Sequence, residues 1–275
     1  MDIKSAEEAK RRLSQVGIES AMADMAVKKM PQVFVFDELS SSNQWVVENL
    51  QLLSAHEMLC ITDSQTCGRG RAGRDWCSPA ASNIYMSFTI TTDRVPEIAS
   101  ISLVIGLALV KSLSKMGIDG LALKWPNDVL LDSKKLAGVL IEAKNYNGRL
   151  VLVVGIGINV DMSAGINLQS ELGWADLSAV GLSAADRNDI VARVYSEYEQ
   201  LISQFLDKGF ASLREEWERH DAFMGKSVKV IENNKVLCEG EESGIDDRGC
   251  LLIKTDAGVK AVHSGDVSLR IKHEN

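Results

Sequence analysis

Cysteine and histidine patterns that would build a disulfide framework or a zinc site are missing from this sequence. The five cysteines form no C-x-x-C pair, and their odd number fits a reducing cytoplasm better than a set of disulfides. The four histidines are scattered, without the spacing of zinc ligands. We therefore expect a protein of the reducing cytoplasm that has no metal site of its own.

The chain also lacks targeting and membrane-spanning segments. Residues 1–30 carry charges throughout and contain no apolar run of the kind found in signal peptides. The most apolar stretch, residues 98–110, is too short to span a membrane and leads directly into Lys111. These absences predict a soluble cytoplasmic protein that does not bind membranes.

Basic residues are outnumbered by acidic ones over the chain as a whole, 30 to 38. The formal net charge is -8 at pH 7, which argues against a general nucleic-acid-binding protein, because such proteins are normally basic. Hydrophobic residues make up 45% and charged residues 25% of the chain, as in a globular protein, and 275 residues suffice for one large domain and one small one. Any anion-binding site must therefore be a local cluster of cations.

Such a cluster lies at residues 68–76, G-R-G-R-A-G-R-D-W. Arginines this close together repel one another unless an anion lies between them, and the glycines let backbone N–H groups approach that anion. The cluster indicates a phosphate or carboxylate ligand. The alternatives are a solvated surface loop and, for Arg74, a plain ion pair with Asp75.

The G-x-G-x-x-G pattern formed by Gly68, Gly70 and Gly73 does not indicate a dinucleotide-binding fold. That fold would need the loop to open a helix, but Pro79 follows and the next predicted element is a strand. A P-loop is excluded as well, because no Gly-Lys-Ser or Gly-Lys-Thr follows. The anion must therefore be held in another way.

The order of predicted elements changes after Phe223. Up to that point strands and helices are mixed: strands at 33–36, 58–62, 84–91, 121–124, 136–143, 150–154 and 156–160, and helices at 5–13, 44–53, 98–116, 189–206 and 211–220. Beyond it, short alternating strands are separated by turns, at 227–231, 236–240, 250–254, 259–261 and 267–271. This texture predicts a small β-barrel of roughly 50 residues.

A second dense cluster is K-W-P-N-D at residues 124–128, followed by K-K-L-A-G at residues 134–138. Pro126 stiffens a turn directly after a strand, and Asn127 and Asp128 are natural turn residues. Gly138 allows a close approach to the following strand. The segment therefore holds lysines and a carboxylate together, or it is a hairpin with exposed lysines.

Together, G-R-G-R-x-G-R-x-W, K-W-P-N-D with K-L-A-G, and G-I-G-I-N at residues 155–159 resemble the bacterial biotin protein ligases, in order and in spacing. Residues 41–43 (S-S-N) and 268–270 (S-L-R) also fit the family pattern, and the resemblance covers roughly residues 31–272. It implies an α+β fold: a central mixed β-sheet flanked by helices, of the class II synthetase-like type, followed by an SH3-like β-barrel. The implied domains are a short N-terminal helical extension (1–30), a catalytic biotin- and ATP-binding domain (31–222) and the SH3-like domain (223–275).

The resemblance also implies a reaction in two steps. Biotin and ATP give biotinyl-5′-AMP and pyrophosphate, and biotin then passes to a lysine of a biotin carboxyl carrier domain of acetyl-CoA carboxylase or a related enzyme. Mg²⁺ is expected on the phosphates rather than in a protein cage. We expect a monomer or a homodimer.

The resemblance assigns site residues by role. The catalytic residues are Arg69, Lys135 and Asp128; biotin is bound by Ser41, Ser42, Asn43, Gln65, Arg69, Gly70, Arg71, Lys135 and Gly138; ATP and the adenylate are bound by Arg71, Lys124, Asn127, Asn159, Trp174 and Arg270. Guanidinium groups suit the two anions that the first step joins, and Asp128 is placed to orient the acceptor amine or take its proton.

Several of these assignments have a structural alternative. Residues 40–43 are also a helix cap, and both roles can hold at once. A tryptophan in a loop, such as Trp174, is more often a packing residue, Arg270 is alternatively a surface arginine, and Asp128 a turn residue.

Two other functions share the expected fold. A ligase that also represses the biotin operon needs a winged helix-turn-helix of roughly 60 residues with a basic recognition helix. About 30 residues precede Pro31, and they include Asp2, Glu7, Glu8, Glu19 and Asp24, so we expect no DNA binding. A lipoate or octanoate ligase is the other alternative, and the arginine–glycine loop and the C-terminal barrel favour biotin over it.

Overall fold

The computed structural model describes residues 12–53, 56–92, 98–162, 173–232, 235–265 and 267–272. Residues 5–11 of the predicted first helix lie outside this range. A helix that the sequence did not predict, α1 (Gln15–Asp24), follows instead. Ser14 caps it by accepting a hydrogen bond from Gly17 N–H at 3.1 Å, and Ile18 and Met22, one turn apart, are buried.

The larger domain is built on a seven-stranded sheet in the order β1-β2-β3-β7-β6-β5-β4. β1 and β2 are parallel and all other pairs are antiparallel, which confirms the predicted mixed sheet. The strands are β1 (Gln32–Leu39), β2 (Met58–Gln65), β3 (Ile84–Thr92), β4 (Leu121–Lys124), β5 (Asp128–Leu131), β6 (Lys134–Tyr146) and β7 (Arg149–Ile158).

Tight turns join β5 to β6 and β6 to β7. The residues between the strands, Asp132 and Ser133 in one turn and Asn147 and Gly148 in the other, all have positive φ. Two such residues give the turn whose twist matches that of the flanking strands. Residues 125–135 were predicted to be a connection, so β5 was not predicted, and β7 was predicted as two strands.

Helices cover both faces of the sheet: α2 (Ser42–Glu48), α3 (Ile98–Ser114), α4 (Arg187–Lys208) and α5 (Ala211–Glu218). Alternation along β7 separates the two faces. Leu152 and Val154 belong to the main core with α3 and α4, whereas Val151 and Val153 pack with Val46 of α2. None of the helices within the described ranges is long and apolar enough to cross a membrane.

The C-terminal region forms a five-stranded antiparallel sheet in the order β11-β10-β9-β8-β12, as the SH3-like prediction requires. Its strands are β8 (Ser227–Glu232), β9 (Lys235–Ile245), β10 (Leu251–Thr255), β11 (Gly258–Val262) and β12 (Val267–Ile271). Each lies within a few residues of its predicted position.

The C-terminal sheet is fastened to the end of β4. Trp125 Nε1 donates to the Gly249 carbonyl at 3.0 Å. The backbone of Leu123 pairs with the segment that leads into β8, through His220 O at 2.7 Å and Ala222 N at 2.8 Å. The K-W-P-N-D segment therefore lies at the joint between the two sheets.

Candidate active site

A cavity of about 440 Å³ opens beside this joint. Its walls come from the main sheet, from the arginine–glycine loop and from the last strand of the C-terminal sheet. All fifteen residues that the sequence analysis assigned to a site line it: Ser41, Ser42, Asn43, Gln65, Arg69, Gly70, Arg71, Lys124, Asn127, Asp128, Lys135, Gly138, Asn159, Trp174 and Arg270.

Two lysines and one carboxylate occupy one side of the cavity. Lys135 Nζ lies 2.6 Å from Asp128 Oδ1, and Lys124 Nζ lies 3.7 Å from Asp128 Oδ2. Burial raises the pKa of Asp128, but the charges of Lys135 and Lys124 outweigh it, and the pKa is lowered overall. Asp128 is therefore ionised, and the cluster has a net positive charge.

A β-bulge brings Lys135 to this cluster. Asp128 pairs with Gly138 across β5 and β6, but Leu130 pairs with Lys135, so Leu136 is an extra residue in β6. Residues paired across strands share a face of the sheet, and Leu130 shares its face with Asp128. Without the bulge, Lys135 would point to the opposite face.

The arginine–glycine loop follows β2 and is closed on itself. Trp76 N–H donates to Gly68 O at 2.9 Å, and Gly70 N–H donates to Arg74 O at 2.6 Å. Ala72 and Gly73 at its tip have φ of 54° and 68°, in the left-handed region. The loop contains only a single 3₁₀ turn and leads to β3, which confirms that it does not open an α-helix.

Partners separate the arginines of this loop. Arg69 Nη2 donates to Gln44 Oε1 at 3.1 Å and lies 3.4 Å from Glu142 Oε2. Arg71 Nη1 donates to Asn127 Oδ1 at 2.8 Å, and its Nη2 donates to the carbonyl of Gly265 in the connection between β11 and β12. The two guanidinium groups thus have different surroundings: Arg69 is paired with a carboxylate, and Arg71 joins the two domains across the cavity.

A pocket of hydroxyl and amide groups forms another part of the cavity wall. Ser41 caps α2, since its Oγ accepts from Gln44 N–H at 3.4 Å, so the predicted helix-cap role is present. The Ser42 N–H and Oγ both contact Gln65 Oε1, at 2.9 and 3.2 Å. The cap therefore also turns these serines toward the cavity.

Ser87 holds two residues of this pocket in place and was not predicted from the sequence. It is fully buried in β3, and its Oγ lies 2.7 Å from both Ser42 Oγ and Asn43 Oδ1. A serine in the middle of an apolar strand was the available signal, because a buried hydroxyl needs a polar partner.

Glycines let the indole of Trp76 lie against the sheet. A Cβ at Gly157 would overlap the Trp76 ring, and one at Gly138 would lie 3.0 Å from it. Lys135 Nζ lies 5.3 Å from the ring centroid, within cation–π range. Trp76 Nε1 is buried without a hydrogen-bond partner among the described residues. Trp76 was part of a predicted motif but received no role; in the structure it lines the cavity and lies against the sheet.

The segment at residues 173–175 brings Trp174 beside Lys135. Lys135 N–H donates to Gly173 O at 3.3 Å, and Ala175 N–H donates to Lys135 O at 2.9 Å. Asn159 Nδ2 ties the two together by donating to Lys135 O at 3.3 Å and to Ala175 O at 3.0 Å. Residues 163–172 of the predicted loop lie outside the described residues.

Arg270 enters the cavity from the C-terminal sheet. It is half-buried on β12 and lines the cavity, and its Nη1 donates to the Leu269 carbonyl at 3.1 Å. Both sheets therefore contribute cations to one space. A cluster of cations that shares one cavity with hydroxyl, amide and indole groups is typical of an enzyme that binds anionic ligands.

Comparison with known proteins specifies this class. The biotin/lipoate A/B protein ligase family matches residues 35–161, and the biotin protein ligase C-terminal domain matches residues 223–270. The bifunctional ligase/repressor BirA of Escherichia coli is 35% identical over 240 residues, which are 86% of this chain and 74% of that protein. The biotin–[acetyl-CoA-carboxylase] ligase of Mycobacterium tuberculosis is 32% identical over 215 residues, 76% of this chain and 78% of that protein.

A solved structure agrees with this. The biotin protein ligase from Aquifex aeolicus, in complex with biotin and ATP, superposes with a TM-score of 0.77 at 28% identity and covers 88% of this chain and all of that chain. The chain belongs to the biotin/lipoate A/B protein ligase family, among the biotin protein ligases. The family and fold implied by the sequence motifs are confirmed.

Proposed function

We propose that this protein activates biotin with ATP to biotinyl-5′-AMP and transfers the biotinyl group to a lysine of a biotin carrier protein. The observation that carries this proposal is the position of the Lys135–Asp128–Lys124 cluster, which shares one cavity with the hydroxyl and amide pocket at the start of α2. Such a cavity offers cations to two anionic groups and polar partners to an uncharged ring.

In the first step a biotin carboxylate oxygen attacks the α-phosphorus of ATP, and the bond to pyrophosphate breaks. The two reactants are both anions, so the repulsion between them must be neutralised. Lys135 is a point charge for the reacting carboxylate and phosphate, and the planar guanidinium of Arg71 suits the oxygens of the adenylate. We assign Arg69 to the same neutralisation of charge. Its guanidinium is held by Glu142 and Gln44.

In the second step the amine of the acceptor lysine attacks the biotinyl carbonyl carbon, and AMP leaves. We assign Asp128 to orient this amine. A carboxylate whose pKa is lowered by two lysines is a weak base but remains a good hydrogen-bond acceptor. The proton of the amine then passes to AMP or to water.

We place biotin in the pocket of Ser41, Ser42, Asn43 and Gln65, and the adenylate along Asn127, Asn159, Trp174 and Arg270. The residues present fit Mg²⁺ that arrives with the phosphates: Asp128 is already paired with two lysines, and the described residues contain no group of three His, Cys, Asp or Glu side chains suited to a metal. When bound, the ion would neutralise charge on the phosphate oxygens.

We propose a biotin carboxyl carrier domain as the protein partner, in line with the named activity of the Mycobacterium tuberculosis relative. We expect no nucleic-acid partner. The domains proposed are residues 31–222 for catalysis and residues 223–275 for the C-terminal unit. The position of Arg270 and the contact between Arg71 and Gly265 support a C-terminal unit that contributes to the cavity.

The test is a mass measurement on a purified carrier domain incubated with this protein. We expect a gain of one biotinyl group on a single lysine that requires both biotin and ATP. Parallel reactions with lipoate or octanoate in place of biotin separate the two ligase types. Modification by those acids but not by biotin, or no modification at all, would contradict the proposal.

A further inference from the structure

Glu142 on β6 contacts two cavity residues that belong to different elements. Its Oε2 accepts from Asn43 Nδ2 at 3.1 Å and lies 3.4 Å from Nη2 of Arg69. Asn43 belongs to α2, and Arg69 belongs to the arginine–glycine loop. Glu142 itself does not line the cavity. It lies where it can act on the site through these two neighbours.

The contact with Asn43 determines which way that amide faces. Asn43 is only 3% exposed, and a Cβ at Gly155 would overlap its Oδ1, so the side chain has little room. The hydroxyl of Ser87, on its other side, could either donate or accept. An ionised Glu142 can only accept, and it therefore requires the NH₂ end of Asn43.

The orientation of the Asn43 amide fixes the hydrogen bonds of its neighbours in the pocket. With Nδ2 on Glu142, Asn43 Oδ1 must accept the proton of Ser87. A hydroxyl has one proton, so the 2.7 Å contact between Ser87 and Ser42 then needs the Ser42 hydroxyl as its donor, and Gln65 Oε1 receives its hydrogen bond from the Ser42 N–H. The donor and acceptor order of this group of side chains is thus set from Glu142.

The contact with Arg69 concerns the loop. The Arg69 and Glu142 side chains are 42% and 23% exposed, and an ion pair of that kind contributes little to the stability of the fold. Its consequence is local: it holds the arginine–glycine loop to β6, next to Asn43. Removing it loosens the loop at Arg69, while Arg71 and Trp76 still hold it elsewhere, and it leaves the sheet folded.

We propose that Glu142 is a positioning residue of the ligase reaction, an inference that rests on the function proposed above. Through Asn43 it sets the hydrogen-bond order of the biotin pocket. Through Arg69 it holds the loop over the bound adenylate. The two roles use different properties of the carboxylate, because Asn43 needs only an acceptor whereas Arg69 needs a negative charge.

Two substitutions separate these roles. Glu142→Ala removes both, and we expect KM for biotin to rise about tenfold and biotinyl-5′-AMP to dissociate about tenfold faster. Glu142→Gln keeps an acceptor for Asn43 but loses the charge, so KM for biotin should stay within about threefold of wild type while the adenylate still dissociates faster. KM is measured from the rate of pyrophosphate release. Dissociation is measured as the loss of bound, labelled biotinyl-5′-AMP after mixing with excess unlabelled biotin.

Glu216→Ala is the matched control. Glu216 is also ion-paired, to Lys111 at 2.6 Å, is 31% exposed and lies on α5 outside the cavity. This variant should behave as wild type. Glu142 variants that match the control in KM and in adenylate dissociation would overturn the proposal. If Glu142→Ala fails to fold, the separation of KM from dissociation in Glu142→Gln decides the matter alone.

A double-mutant cycle with Arg69→Ala tests whether Glu142 retains the adenylate through Arg69. If Glu142 retains the adenylate through Arg69, the double variant Arg69→Ala/Glu142→Ala should lose it no faster than the worse of the two single variants. Rates that multiply would refute that route. Wild-type protein that forms no adenylate would instead refute the proposed function, so the two failures are distinguishable.

Discussion

Lys135 Nζ and Asp128 Oδ1, 2.6 Å apart, meet because β6 carries one residue more than its partner strand. The bulge at Leu136 turns Lys135 to the face of Asp128, and the lysine in turn keeps that carboxylate ionised. The proposed chemistry of both steps depends on this contact, since Lys135 serves the adenylation and Asp128 serves the transfer.

Lys135→Ala should nearly abolish the formation of biotinyl-5′-AMP while the protein stays folded. The loss of one preorganised charge at a reacting group is worth about 10²–10³ in rate. Pyrophosphate release measures the rate, and the melting temperature reports folding. Lys134→Ala is the matched control, because Lys134 precedes it in the chain and is exposed. Near-normal adenylate synthesis by Lys135→Ala would remove the assigned role.

Arg71→Ala should weaken retention of biotin and of the adenylate. The guanidinium joins Asn127 to Gly265 across the cavity, so its loss removes a cation and loosens the contact between the sheets. We expect affinity to fall by about tenfold or more in a calorimetric titration. Arg219→Ala, at an exposed arginine that does not line the cavity, is the control and should leave affinity unchanged. Equal affinity of Arg71→Ala and wild type would count against an anion-binding loop.

Gly157→Ala should impair ligand binding more than Gly138→Ala does. The added methyl group would overlap the ring of Trp76 at residue 157, whereas at residue 138 it would only touch it at 3.0 Å. Titration with biotin compares the two variants, with melting temperatures as a check on folding. The reverse order of affinities would mean that the Trp76 indole does not lie against Gly157 when biotin is bound.

A buried pair of carboxyl groups at the joint between the sheets should make the stability of the fold depend on pH. Glu242 is fully buried, and no donor group among the described residues satisfies its carboxyl oxygens, so its partner is the carboxyl group of Asp221, which can share a proton with it. Burial raises its pKa, and the nearby Asp221 raises it further. Burial also raises the pKa of Asp221, while Glu218 raises it and Lys226 lowers it through their charges. Folding therefore retains a proton on this pair.

The sign follows from the raised pKa. The folded state holds a proton that the unfolded chain releases above about pH 4.3, the ordinary range of glutamate, so stability falls as the pH rises through neutrality. Glu242→Gln removes this dependence. It should raise the melting temperature by a few degrees at pH 8.5 and by less at pH 5. Glu241→Gln, at the exposed neighbouring residue, is the control. An equal shift in melting temperature for both variants would contradict the explanation by a buried proton.

Local patterns predicted most of the elements. The alternating strands of the C-terminal sheet, the apolar α3 and the amphipathic α4 lie within a few residues of their expected positions. β5 was missed because four residues between turn-forming segments carry too little periodicity to identify a strand. α1 was missed because a glycine such as Gly17 normally argues against a helix. Here Gly17 lies in the first turn of α1, and its N–H donates to the capping residue Ser14.

The residues that the family resemblance named are far apart in the chain and line one cavity. The pairs that they form within it were not predictable. The partner of Arg69 is Glu142, 73 residues away, and no local pattern connects the two. The same holds for the bulge at Leu136, since the side-chain face of Lys135 depends on register with another strand.

The indole of Trp76 has a practical consequence. Trp76 and Trp174 are two of the five tryptophans of the chain, and both line the cavity. Indole emission depends on the polarity around the ring, and Trp76 Nε1 is buried without a partner in the part of the chain that the structure describes. Occupancy of the cavity can therefore be followed through the intrinsic fluorescence of the unlabelled protein, with Trp76→Phe and Trp174→Phe to separate the two signals.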